Sequence, residues 1–375
     1  MNKRDPRIAH FTLALLAFLT SQVALTILIA CIDLDQPYEL LWLRYDSGHY
    51  LQIAEKGYEI FPCAGRFGYP PDASEFCGNT GWFPGYPLLL NGLSYLFGDI
   101  VLVAGIVSKT FLFLSLVILL ELTQTNEIDL RSYVIACIGG FWFGSIYYSA
   151  IFPISAIVFF SLCGILSIHR RQIWPAAIAC FLSSLFYPTG ILLCIVLALD
   201  VLFLKDAIGT RMIASLKLIA SGIIGLCVAF YTIYTQTHVW DAFLKVQAKY
   251  GHGWNDPFKR MAELLRSIKF NSVESIPDIQ TLILIGFFIG LNYLYFKRRS
   301  HRSDLDTVIL LFSWIYLSFP WFIGGDLSMY RAEALLMPMA VASKDLQMKW
   351  LIAVLIVLIS LFIPMSYLFF KQVLI

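Results

Sequence analysis

Residues 8–32 form a 25-residue run with no Asp, Glu, Lys or Arg. A bilayer core about 30 Å thick needs about 20 such residues in a helix. Further predominantly apolar runs, some carrying one or two charges, lie near 100–122, 131–150, 154–168, 212–234, 279–296, 305–323, 332–343 and 350–370. Another, 174–204, is interrupted at Tyr187-Pro188-Thr189-Gly190, where a proline next to a glycine favours a hairpin over one long helix. These runs are apolar on all sides, as burial in lipid requires. The expectation is an all-α, polytopic transmembrane fold of about ten membrane segments, built as a single domain over 1–375. No internal repeat of the kind many secondary transporters carry is visible.

Composition agrees: 59% of the 375 residues are hydrophobic and 14% charged, against about 45–50% and about 25% in soluble domains. A net charge of +2, with basic residues scattered at span ends, excludes a nucleic-acid partner. Lys3, Arg4 and Arg7 precede the first run, which places the N-terminus in the cytoplasm. No cleavage site for a signal peptide precedes 33–35, so the run is read as a retained span. His169-Arg170-Arg171, the stretch 205–217 and the cluster at 297–302 should also be cytoplasmic. That alternation holds only if 83–98, short and carrying Pro84 and Pro87, stays interfacial or re-entrant on the outer side.

Two long polar segments then face outward. The first, 33–99, should carry interfacial helices, with apolar residues at helical spacing over 38–56. The second is 235–277. Cys63 and Cys77 lie in the first loop, where an oxidising compartment permits a disulfide between them. Cys31, Cys137, Cys163, Cys180, Cys194 and Cys227 lie in or beside apolar runs and read as packing residues. No cluster calls for a metal, no cofactor is implied, and no Gly-rich nucleotide loop is visible.

The first loop also carries Arg44-Tyr45-Asp46-Ser47-Gly48-His49-Tyr50. On a helix Asp46 and His49 share a face, and a carboxylate beside an imidazole suits proton transfer. On spacing alone, the competing reading is the solvated side of an interfacial helix.

The residues 45–58 resemble a signature of the GPI mannosyltransferase 2 family, Trp-Asp-x-x-His-Phe/Tyr followed by Ile-Ala-x-x-Gly-Tyr. Here it stands as Tyr45-Asp46-Ser47-Gly48-His49-Tyr50 and Ile53-Ala54-Glu55-Lys56-Gly57-Tyr58. Trp82-Phe83-Pro84-Gly85-Tyr86-Pro87-Leu88 is similar to the family's next segment. Weaker echoes lie at Gln247, His252, Trp254 and Pro257, and at Ser328-Met329-Tyr330-Arg331 with Pro338. Tyr45 stands for the family's tryptophan, Ser155 falls in a motif whose acid is absent, Tyr187 replaces an arginine, and Ala332 a tyrosine.

The resemblance implies a GT-C glycosyltransferase, which moves a sugar from a polyprenyl-phosphate donor to a lipid or glycan acceptor outside the cytoplasm. It implies inversion at the sugar, with mannose as the sugar transferred. Asp46 would be the general base, and His49 would orient it or touch a substrate hydroxyl or phosphate. Arg331 is the first candidate for the leaving phosphate, followed by Arg44, Lys249 and His252; Trp82 and Tyr86 would line a sugar or prenyl site. Each of these basic residues has a structural alternative as a headgroup anchor, and each aromatic one as part of an interfacial belt. The chain's length and its departures from the family point to a bacterial inner membrane. The alternative function is a transporter or flippase for lipid-linked glycans.

Overall fold

The computed structural model describes residues 6–32, 38–124, 127–204, 207–251, 253–269, 272–297, 303–323 and 329–374. Asp33, Lys205, His252, Arg298, Arg299, Arg302, Asp326 and Ser328 lie outside these ranges. Among the described residues fifteen α-helices follow in chain order: α1 (Pro6–Cys31), α2 (Ser47–Lys56), α3 (Gly85–Phe97), α4 (Ile100–Leu122), α5 (Leu130–Gly140), α6 (Ile154–His169), α7 (Ile173–Phe186), α8 (Ile191–Phe203), α9 (Ile208–Thr237), α10 (Ala242–Ala248), α11 (Pro257–Ser267), α12 (Ile276–Lys297), α13 (Asp304–Ile323), α14 (Met329–Ala334) and α15 (Met348–Phe370). Strands β1 (Ile60–Pro62) and β2 (Phe76–Gly78) form an antiparallel pair. Six helices among the described residues (α1, α4, α9, α12, α13 and α15) are long and apolar enough to cross a membrane, and α5 to α8 are shorter apolar helices. The fold is that of an all-α, multi-pass membrane protein.

The bundle departs from the hydropathy reading in two places, both where apolar length masked a break. The run at 131–150 is an 11-residue α5, then a 3-10 turn over Ser145–Tyr148. Gly144, at φ +65°, makes the turn between them. The run at 332–343 is not a span: its start belongs to the six-residue α14, and a 3-10 stretch, Met337–Asp345, follows. Both segments are almost wholly buried against other helices. Their hydrophobicity therefore answers protein packing, which length alone does not separate from lipid. By contrast, α3 has only 13 residues, about 20 Å at 1.5 Å per residue, too short for a crossing. The break at Tyr187 is also real: α7 and α8 form a tight hairpin through a 3-10 turn, and Ser183 Oγ donates to the Gly190 carbonyl at 2.9 Å.

The two polar loops, far apart in sequence, pack into one cap. Tyr58 N–H donates to Gln236 Oε1 at 2.6 Å, Thr80 Oγ1 to the Ala242 carbonyl at 2.9 Å, and Gln247 Nε2 to the Gly81 carbonyl at 2.8 Å. Gly57, at φ +83°, permits the first contact, because a Cβ there would stand 2.4 Å from Gln236 Oε1. Cys63 and Cys77 are joined by a disulfide across the β1–β2 pair, with Cα atoms 5.0 Å apart.

Candidate active site

Asp46 is not inside a helix. The stretch 38–56, whose apolar residues fall at helical spacing, is a 3-10 turn (Tyr38–Trp42), a break, and then α2. At the break Tyr45 adopts φ +53°, a left-handed conformation that costs a non-glycine residue about 1–2 kcal/mol. The next residue, Asp46, is the N-cap of α2. An N-cap aspartate ordinarily accepts a hydrogen bond from the first-turn amides, as Asp99, Asp129 and Asp256 do here. Asp46 makes no such bond. Its carboxylate pairs instead with Arg331 of α14, 285 residues away in sequence.

Arg331 sits in an aromatic cage. Its Cζ lies 5.3 Å from the Phe152 ring centroid and 5.7 Å from those of Tyr45 and Tyr147, a cation–π arrangement that stabilises a desolvated guanidinium. The Arg331 side chain is 14% exposed and that of Asp46 27%. The Nε–H of Arg331 is buried and finds no acceptor in hydrogen-bonding geometry among the described residues. A guanidinium holds five donors in a planar fork suited to carboxylate and phosphate.

Both partners line a cavity of about 590 Å³. Its walls are mainly apolar: Leu192 at the α7–α8 turn, Phe243 and Leu244 of α10, and Phe319, Pro320 and Ile323 at the end of α13. The polar groups that reach it include Tyr50, Tyr187, Tyr250, Tyr316 and Gln247. Burial pushes the Tyr250 hydroxyl up to about 12, and that of Tyr45 up to about 12 through burial and the neighbouring Tyr330. Both therefore remain neutral O–H groups near pH 7. Among its described lining residues the cavity thus combines one anion, one cation and several neutral hydroxyls with mainly apolar walls. Met329 lines both it and a second cavity, of about 440 Å³, so α14 stands between the two.

The other residues singled out from sequence are placed as follows. Trp82 lines the cavity. His49 does not; it stacks on Trp82, with ring centroids 3.7 Å apart at 18°. Burial lowers the His49 pKa below its ordinary value, against an opposing effect of Asp46, so the ring is neutral near pH 7. Tyr86 is fully buried behind α2, its hydroxyl bonded to Ser108 Oγ at 2.8 Å, and it does not reach the cavity. Arg44 turns back on its own loop, with Nη1 donating to the Leu40 and Leu43 carbonyls at 3.4 and 3.5 Å. Lys249 lies 4.9 Å over the Tyr250 ring, outside the cavity lining, and burial lowers its pKa. Arg331 does not begin a span; it sits within a six-residue helix. Tyr50, Tyr187, Tyr250 and Tyr316 went unremarked as cavity residues, because a tyrosine in an apolar run carries no local signal of facing a cavity.

No protein-family model and no curated protein matches this sequence. Among solved structures, the chain is similar to an oligosaccharyltransferase of Archaeoglobus fulgidus, determined as a complex with zinc and sulfate. The TM-score is 0.43 and the identity 12%, over 78% of this chain and 44% of that one. The chain therefore spans less than half the length of that protein, and a likeness of this size supports no functional inference.

Proposed function

We propose that this protein is a membrane glycosyltransferase of the GT-C kind, transferring a hexose from a polyprenyl-phosphate donor to a lipid or glycan acceptor. The observation that carries the reading is the meeting of Asp46 and Arg331 at a cavity with mainly apolar walls. An apolar wall suits a prenyl chain, and a caged guanidinium suits the phosphate that joins it to the sugar. The motif around Asp46 and the segment from Trp82, taken with their resemblance to the GPI mannosyltransferase 2 family, favour mannose as the sugar and the extracytoplasmic side as its place of transfer. The resemblance and its departures favour a bacterial inner membrane.

On this reading the donor phosphate takes hydrogen bonds from the Arg331 guanidinium and so loosens the Arg331–Asp46 pair. Asp46 accepts the proton of the acceptor hydroxyl as that oxygen attacks the sugar C1. The C1–O bond to phosphate breaks on the opposite face, the configuration inverts, and the leaving polyprenyl phosphate takes the bonding pair, its added negative charge held by Arg331. Tyr187 and Tyr250 supply neutral hydroxyls to the sugar, while Trp82, backed by His49, forms a flat wall at the same end.

The test is transfer of radiolabelled sugar from synthetic polyprenyl-phosphate-mannose to membrane lipids by the purified protein and by Asp46→Asn. Transfer by the wild type, lost in a folded variant, supports the reading. Undiminished transfer by Asp46→Asn removes Asp46 from the chemistry. Failure of the wild type across a panel of donors returns weight to a transporter of lipid-linked glycans.

A further inference from the structure

Glu333 lies two residues beyond Arg331 on α14. A two-residue step on a helix turns the side chain by about 200°, so the two residues face opposite ways, Arg331 toward Asp46 and Glu333 toward α12. Glu333 is 3% exposed. Gln280 Nε2 donates to its Oε2 at 2.6 Å, and the Thr281 hydroxyl donates to its Oε1. Both partners are neutral side chains, burial raises the Glu333 pKa to about 7, and leaving one side of such a buried polar contact unmatched is costly.

Six residues are too few to form a stable helix alone, so neighbours must decide where α14 sits. Two further contacts restrain it. Tyr148 OH donates to the Ala334 carbonyl at 2.6 Å. At Gly144 a Cβ would stand 2.5 Å from the Tyr330 carbonyl, so α14 lies directly against that turn. Both contacts hold the backbone of α14. The Glu333 bonds are side-chain contacts from the face opposite Arg331, and they resist rotation of the helix about its axis.

We propose that Glu333 is a positioning residue, whose hydrogen bonds to Gln280 and Thr281 hold α14 in the rotation that brings Arg331 against Asp46 and the donor phosphate. The kinetic part of this inference rests on the transferase reading. The structural part does not.

The experiment compares wild type, Glu333→Ala and Glu333→Gln, purified in lipid nanodiscs, by steady-state transfer and by hydrogen–deuterium exchange across Met329–Ala334. Glu333→Ala should lower kcat per folded molecule by on the order of 10²-fold, the scale expected of a misplaced catalytic group. The donor KM, set by the apolar wall, should move only several-fold. Exchange across α14 should accelerate. Glu333→Gln still bonds Gln280 through its carbonyl and Thr281 through its amide, and should recover most of the lost rate. Normal kcat in Glu333→Ala, or equal losses in both variants, overturns the proposal; so does a loss that follows only the amount of folded protein. If the wild type transfers nothing from any donor, the transferase reading fails and exchange alone decides. Unchanged protection in Glu333→Ala then overturns the positioning role, and faster exchange confined to α14 upholds it.

Discussion

Two charged clusters in this molecule look alike on paper and differ in what surrounds them. At one, Asp46 and Arg331 meet among aromatic rings beside a cavity of about 590 Å³. At the other, near the α6–α7 turn, Arg170 pairs with Glu121 and Arg171 with Asp304 at 3.1 Å. The side chains of the second pair are 50% and 65% exposed, and the nearby cavity, which Asp200 also lines, is only about 10 Å³. Exposed pairs contribute little because water screens them and holding long side chains costs entropy. The contrast teaches that charge density is a poor guide to a site. What distinguishes the first cluster is desolvation, an aromatic cage around the cation, and a cavity beside the pair.

Mutations at the first cluster should have the largest effects. Asp46→Asn should lower transfer roughly 10²–10⁴-fold, the usual contribution of a general base. Arg331→Ala should lower it about 10²–10³-fold, as loss of a charge-stabilising donor does elsewhere. Arg331→Lys should recover only part of that, because an ammonium lacks the planar fork. Turnover measured per folded molecule decides each case, and wild-type rates in Arg331→Ala would erase the contrast between the clusters.

Next in size is the cap over the site. Replacing Cys63 and Cys77 together by serine frees a 14-residue separation and should cost roughly 2–4 kcal/mol. A lower melting temperature would be seen, along with faster proteolysis in the first loop.

A smaller effect concerns His49. Its pKa is lowered in the folded protein by burial, so the unfolded chain binds the proton more readily. Stability from this residue is therefore complete above about pH 6.5, the ordinary histidine value. It declines as pH falls from there toward the lower folded value. Melting curves of wild type and His49→Gln should diverge above that window and converge below it.

The smallest change belongs to the second cluster. Arg171→Ala should cost about 0.2–1 kcal/mol, the scale of an exposed pair, with turnover unaltered. A tenfold loss of turnover in that variant would mean that the two clusters are not so different after all.

Much of the architecture could be read in advance, because transmembrane length is a sum over neighbouring residues. The run at 100–122 is α4, the Pro188–Gly190 break is a hairpin turn, and the Pro-bearing 83–98 segment folds as a helix too short to cross. Reading failed at 131–150 and 332–343, where apolar residues face other helices. The site was legible only in pieces. Asp46 stood out by its motif and Arg331 by a weak echo, yet nothing local says that Asp46 forgoes its capping bond or that Tyr187 and Tyr316 face the same cavity as Tyr250. His49 was paired with Asp46 by helical spacing, whereas packing turns it onto Trp82.

By itself, then, the sequence determined that the chain is a multi-pass helical membrane protein with two polar loops and a chemically unusual stretch at 44–50. Hydropathy, proline placement and charge bias are local quantities that survive any arrangement of the helices. The tertiary structure alone decided that the two loops form one cap, that α14 is a short wedge rather than a span, and that Arg331 meets Asp46 across 285 residues. Those outcomes depend on which surfaces pack together, and a helix of six residues has no position until its neighbours supply one.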